Sequence, residues 1–157
     1  MTKLSEYQKK RKFSGKEKTT EPRGVIKKTK SKKLIYCIHE HHASHLHWDL
    51  RLEMSGVLKS WAVPKPVSAL RTKGIKRLAV QTENHPVEYA KFRGVIPEGH
   101  YGAGKVEIYD SGFYELKNKD AKKIEFTLHG KKLNGNFVLV KTHYGNKPEK
   151  SWLFFKV

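Results

Sequence analysis

Leu46-His47-Trp48-Asp49-Leu50-Arg51-Leu52-Glu53-Met54 is the stretch that decides the fold. Leu46, Trp48, Leu50, Leu52 and Met54 fall on one face, and His47, Asp49, Arg51 and Glu53 fall on the other. A period of two marks a half-buried strand, because successive Cβ atoms of an extended chain point to opposite sides. Ser55-Gly56 reads as a turn and Val57 to Val63 as the return strand. Upstream, Ile35 to His42 reads as a strand folded back by a short turn at Ala43 to His45. Downstream, Arg77 to Glu83 is a further strand, and Val106 to Asp110 with Phe113 to Leu116 reads as a hairpin around Ser111-Gly112. Ile124, Phe126 and Leu128 alternate, and Phe137 to Thr142 and Trp152 to Val157 complete the series. There is no sustained amphipathic helix and no internal repeat. Many short strands with turn signals between them make a mainly β domain over 34–157, an antiparallel barrel or a sandwich.

Residues 1–33 differ from the rest. They hold 13 basic and 3 acidic residues, few apolar ones and no sustained period, which is expected of a partly disordered basic arm. Phe13 and the Thr19 to Pro22 turn are its more ordered part. The whole chain of 157 residues carries 33 Lys and Arg against 15 Asp and Glu, a formal charge of +18. That much charge costs self-repulsion, so it points to a polyanionic partner, nucleic acid first and an anionic membrane surface second. No apolar run is long enough to span a bilayer, and MTKLSEYQKKRKF lacks the apolar core of a secretion signal. The single Cys37 excludes an internal disulfide and a multi-cysteine zinc site, and it suits a reducing cytoplasm. Its apolar strand makes it a packing residue.

Five of the nine histidines fall between His39 and His47. Within them, His41, His47, Asp49 and Arg51 form an H-x5-H-x-D-x-R pattern whose last three members share the polar face of one strand. The turn at Ala43 to His45 brings His41 back beside His47 and Asp49. Two imidazoles and a carboxylate suffice to hold a divalent metal with open positions. Arg51, one strand step beyond Asp49, offers a bidentate fork to an oxyanion there. His85 and Tyr89, in Glu83-Asn-His-Pro-Val-Glu-Tyr89 at a strand end, are candidates for acid–base work and phosphate contact. Lys65 and Arg77 are further oxyanion partners. Gly99-His-Tyr-Gly-Ala-Gly-Lys105 has the spacing of a phosphate-cradling loop, but Val106 stands where that motif needs Ser or Thr, and a strand follows where it needs a helix. It reads as a tight structural loop. No serine sits in a nucleophile-elbow setting.

Taken together, these motifs resemble a known family. H-x5-H-x-D-x-R-L-E, L-K-S-W-A-V-P-K, K-R-L-A-V, E-x-H-P-x-x-Y, I-P-E-G-x-Y-G-A-G and the closing L-x-G-x-K-L-x-G-x-F-x-L-V occur in this order between His41 and Val140. The chain is similar to the 3′-phosphoesterase module of bacterial DNA ligase D and its stand-alone bacterial and archaeal relatives, from about Phe13 onward. The resemblance implies a compact antiparallel β-barrel and a divalent-metal enzyme. Manganese is the implied metal, with zinc or cobalt as alternatives. It implies healing of primer 3′ ends in two steps: removal of a terminal ribonucleoside to leave a 3′-phosphate, then removal of that phosphate. By motif, His41, His47 and Asp49 match the metal ligands, Arg51 and His85 the phosphate-contacting catalytic pair, and Tyr89 a tyrosine of the same site. Lys65, Arg77 and His39 match phosphate-side positions, His39 replacing the more usual Gln. At the N-terminus, Arg11, Glu21 and Pro22 match a pattern that an insertion displaces here, and Lys12 stands where an Asp is expected. The resemblance implies that phosphate removal depends on that segment in particular. Primer–template ends, a separate ligase and polymerase of end repair, a monomeric state and a cytoplasmic, nucleoid-associated location follow as expectations. Two rival readings remain on the residues alone: a non-haem iron oxygenase, whose ligand grammar is also two His and one carboxylate, and a non-catalytic nucleic-acid-binding barrel.

Overall fold

A computed structural model describes residues 3–13, 19–24 and 33–157. It is an antiparallel β-barrel. In chain order the strands are β1 (Leu34–His42), β2 (Leu46–Met54), β3 (Val57–Val63), β4 (Lys76–Pro86), β5 (Gly94–Ile96), β6 (Gly104–Lys119), β7 (Lys123–Gly130), β8 (Asn134–Lys141) and β9 (Ser151–Lys156). Neighbours run β1-β2-β3-β4-β9-β8-β7-β6, and β6 pairs back with β1 to close eight strands, while β5 adds to the free edge of β6. Closure removes the sheet edges that would otherwise need protection. One short helix, α1 (Ser5–Lys9), precedes the barrel. Among the described residues no helix is long and apolar enough to cross a membrane.

The barrel interior is the apolar row of each strand. Trp48, Leu50, Leu52 and Met54 of β2 pack with Tyr36, Ile38, Trp61, Tyr114, Phe126, Phe137 and Phe154 in one cluster. Asp110 is buried at its edge, where its carboxylate accepts from Tyr36 Oη at 2.8 Å and from the backbone N–H groups of Lys131, Lys132 and Leu133. A smaller cluster lies on the opposite side of the same strands, with Tyr7, Cys37, Leu58, Tyr89 and Ala90 at its centre.

The structure departs from the sequence reading in three places. First, Ser111-Gly112 is no hairpin turn: β6 runs unbroken through it, pairing with β1 up to Tyr114 and with β7 from Gly112 on. A Cβ at residue 112 would stand 2.1 Å from the His129 carbonyl oxygen, so the glycine permits a close backbone approach inside a strand. Second, β2 is buried on both faces; Asp49, Arg51 and Glu53 are as enclosed as the leucines between them. Third, the segment before Phe13 is not a solvated tail where it is described. Leu4 and Tyr7 are fully buried, and α1 lies against β4. These two differences share one cause: the arm and the 3-10 turn Val87–Lys91 cover the outer face of β1 to β4 with Tyr7, Phe13, Tyr89 and Phe92. Residues 1–2, 14–18 and 25–32 of the arm lie outside the described residues.

Candidate functional site

The register of β1 against β2 assembles the site. It sets His41 opposite His47, His39 opposite Asp49 and Cys37 opposite Arg51. Directly opposed residues of an antiparallel pair share a face, so all of these project to the outside of the barrel, away from the tryptophan and leucine row. β3 adds Ser60 beside Arg51, and β4 adds His85 beside Leu58. His85 thus stands within β4, which runs on to Pro86 and does not end at Glu83 as the sequence suggested. Over these residues lies a cavity of about 350 Å³ whose walls include His41, His47, Asp49, Arg51, His85 and Tyr89.

His41, His47 and Asp49 offer ligand atoms that all lie within 4.8 Å of one another. Their hydrogen bonds settle what those atoms are. His41 Nε2 lies 2.6 Å from the Gly102 carbonyl oxygen, and His47 Nδ1 lies 3.0 Å from the His45 carbonyl oxygen. A carbonyl only accepts, so each of these nitrogens carries a proton, and the other ring nitrogen of each histidine is the one left to meet Asp49. Those atoms, His41 Nδ1 and His47 Nε2, face Asp49 Oδ2 at 3.6 and 3.3 Å. Two imidazole nitrogens and a carboxylate oxygen turned toward one point are a donor set that a divalent cation can take in place of the ring protons. Backbone carbonyls that fix the tautomer are the usual outer support of a histidine–metal centre. Gly102 adopts φ +76°, which turns its carbonyl to His41, and a Cβ there would stand 3.3 Å from the ring. Burial alone would raise the Asp49 carboxyl; the Arg51 guanidinium, then His41 and His47, outweigh it and hold it well below its ordinary value.

Arg51 is buried and held by three partners. Its Nε donates to His39 Nδ1 at 2.9 Å, Nη1 to Ser60 Oγ at 2.9 Å and Nη2 to Asp49 Oδ2 at 3.5 Å, with the Tyr89 ring 4.9 Å from its Cζ. His39 in turn donates from Nε2 to the Phe92 carbonyl at 2.9 Å. Burial first, and Arg51 second, push its pKa down to about 3, so His39 is a neutral bracket for the guanidinium. His85 donates from Nδ1 to the Glu83 carbonyl at 3.0 Å, which leaves Nε2 bare. Burial, then Arg51 and Arg11, hold its pKa well below the ordinary histidine value. Ser60 Oγ lies 3.3 Å from His85 Nδ1 and so ties the arginine to the histidine.

The N-terminal segment supplies a second guanidinium. Arg11 Nε donates to Glu21 Oε2 at 2.9 Å, its Nη2 stands 3.3 Å from His85 Nε2, and its Cζ lies 4.0 Å from the centre of the Tyr7 ring. Glu21 also accepts from Tyr89 Oη at 2.5 Å and from Thr19 Oγ1 at 2.9 Å. Across the insertion that displaces this motif in sequence, Thr19 N–H donates to the Lys12 carbonyl at 2.7 Å, and Glu21 stands beside Arg11. Lys12, at the position of the expected Asp, is exposed, and the buried Glu83 stands near the arm's cations instead, 3.1 Å from Lys10 and 3.6 Å from Arg11.

Arg11, Glu21, His39, His41, His47, Asp49, Arg51, His85 and Tyr89 therefore converge on one place. Lys65 and Arg77 do not join them: Lys65 is exposed on its loop, and Arg77 Nε is spent on the Pro66 carbonyl at 3.0 Å. Sequence reasoning gave no role to Ser60, Glu83, Lys10 or Tyr101. Ser60, Glu83 and Tyr101 lie inside quoted motifs, so a signal existed for them; Lys10, in a basic run, gave none.

With this geometry in hand, comparison with known proteins is direct. A family model described as the DNA Ligase D 3′-phosphoesterase domain matches residues 39–141. Similar proteins include the multifunctional non-homologous end joining protein LigD of Pseudomonas aeruginosa, 43% identical over 98% of this chain and 18% of that protein. The corresponding proteins of Mycolicibacterium smegmatis and Mycobacterium tuberculosis are 47% and 42% identical over 75% and 80% of this chain, and 16% and 17% of their own lengths. The chain belongs to the LigD 3′-phosphoesterase domain family. It spans less than a fifth of the length of these relatives.

Proposed function

We propose that this chain is a divalent-metal phosphoesterase that heals nucleic-acid 3′ ends in the setting of non-homologous end joining. It removes a terminal 3′-ribonucleoside to leave a 3′-phosphate, then removes the phosphate to expose a 3′-hydroxyl. One observation carries the reading: a cluster of two histidines and a carboxylate with converging ligand atoms stands on the same cavity wall as two guanidiniums and a buried histidine held toward its neutral form. Family membership supports the phosphate chemistry, and the charge of +18 supports a polyanionic substrate.

His41 Nδ1, His47 Nε2 and Asp49 Oδ2 would hold the ion, with manganese as the preferred metal. Bound there, it supplies positive charge against the phosphate oxygens on which negative charge builds. Arg51, already locked by His39 and Ser60, turns its Nη2 side toward the same oxygens without reorganisation, which is what makes such a group effective in a transition state. Arg11 adds a second positive charge beside His85. His85 Nε2, kept neutral by burial first and by Arg51 and Arg11 second, would take a proton from the attacking water and return it to the leaving oxygen, the nucleoside 5′ oxygen in the first step and the primer 3′ oxygen in the second. Tyr89 keeps its proton, because burial first and Glu21 among its neighbours raise its pKa well above the ordinary tyrosine value despite the opposing arginines. It acts as a fixed donor. The guanidiniums favour a phosphate over the substrates of an oxygenase with the same ligand grammar.

A primer ending in a single 3′-ribonucleotide, incubated with the protein and separated on a sequencing gel, tests this. Manganese should yield first the 3′-phosphate and then the 3′-hydroxyl product, and chelator should leave the end intact. Unprocessed ends across manganese, cobalt and zinc would contradict it, and equal binding with no processing would favour a non-catalytic end-binding barrel.

A further inference from the structure

The motif I-P-E-G-x-Y-G-A-G forms the turn between β5 and β6, and the metal centre uses only its Gly102 carbonyl. Two successive turns, His100 N–H to the Pro97 carbonyl and Ala103 N–H to the His100 carbonyl, both at 3.2 Å, hold its crest in place. Tyr101 sits on that crest, one residue from the carbonyl that fixes His41, and its side chain borders the same cavity as the ligand cluster. It is 49% exposed. Lys10 Nζ lies 4.6 Å and Arg11 Cζ 5.6 Å from its ring centre, and its hydroxyl has only a long contact of 3.5 Å to Lys10. Among the described residues no other aromatic ring packs on it.

A half-exposed aromatic at the rim of a cationic cavity is not explained by core packing. The π surface it leaves exposed matches the one feature common to every nucleotide, the face of the base, and stacking on it tolerates any base. Adjacent cations strengthen the match, since they attract the phosphate that follows the base and polarise the ring. We infer that Tyr101 is a nucleobase-stacking subsite for the 3′-terminal nucleoside, the group attached to the phosphate that the cavity acts on. The position of that phosphate rests on the phosphoesterase reading; the stacking itself does not need turnover.

The test uses a primer with 2-aminopurine as its 3′-terminal base and a remote dye that reports binding by anisotropy. In chelator, the wild-type protein should quench the 2-aminopurine on binding. Tyr101→Ala should bind, by anisotropy, without quenching, and Tyr101→Phe should restore the quench. With manganese, Tyr101→Ala should raise KM for a ribonucleoside-ended primer roughly 5- to 100-fold. An abasic ribose terminus should be handled alike by wild type and Tyr101→Ala. Quenching retained in Tyr101→Ala overturns the inference. So does Tyr101→Phe behaving as Tyr101→Ala, which would make the hydroxyl the working group, or an equal loss on the abasic terminus, which would make the role structural. Wild-type quenching with no processing in any metal would sink the phosphoesterase reading and leave the stacking subsite standing.

Discussion

Arg11 Nη2 stands 3.3 Å from His85 Nε2, so a residue of the basic arm touches the bare nitrogen at the end of β4. The arm is thereby part of the cavity wall and not only an electrostatic tether. A terminal phosphate monoester carries one more negative charge than a diester. It therefore depends more on a second guanidinium. Arg11→Ala should slow phosphate removal about tenfold or more beyond its effect on nucleoside removal, and the 3′-phosphate product should accumulate on the gel. Parallel losses in both steps would reduce Arg11 to a binding or folding contact.

Arg51→Lys tests whether shape or charge matters at the centre of the site. Arg51 reaches His39, Ser60 and Asp49 at once through a planar fork, and a lysine ammonium cannot replace three directions with one point. Turnover should fall on the order of 100-fold or more, with the melting temperature lowered because His39 and Ser60 lose their buried partner. Near-normal turnover would show that only the positive charge is used.

His39 carries a pH signature. Its pKa falls from 6.5 to about 3 in the folded chain. Below 6.5 the unfolded chain therefore binds a proton that the folded chain refuses. This contribution to stability is full above the unfolded value and is lost as pH falls toward 3, by about 1.4 kcal/mol per pH unit. His85, also depressed, acts with the same sign. His39→Gln keeps the bracket, since the amide oxygen accepts from Arg51 and the amide nitrogen donates to Phe92, but it does not titrate. Denaturant unfolding between about pH 6 and 4 should show a shallower loss of stability in His39→Gln than in wild type. Parallel curves would contradict the buried neutral state.

Much of this was legible in the chain. The alternation of Leu46 to Met54 gave β2 its faces, and two strands joined at Ala43 to His45 placed His41 against His47 before any coordinates. What misled was local turn chemistry: Ser111-Gly112 looks like a hairpin, yet the glycine serves a backbone approach that only the pairing of β6 with β7 creates. The polar face of β2 looked solvated because nothing in its own residues announces the cover. That cover comes from Tyr7 and Tyr89, distant in sequence. Ser60 lies inside a quoted motif, but its role is a bridge from Arg51 to His85 across three strands, which its own strand does not reveal. Lys65 and Arg77 show the converse, residues matched by motif that the fold leaves outside this cavity.

The central claim divides one cavity wall into residues that hold a metal and residues that act on a phosphate. Manganese titration followed by electron paramagnetic resonance, on the samples used for turnover, tests it most directly. Wild type should bind one ion per chain, His47→Ala should lose both that binding and activity, and His85→Ala should lose activity while binding the ion as wild type does. Full activity in His47→Ala at limiting manganese, or loss of the ion in His85→Ala, would contradict the division.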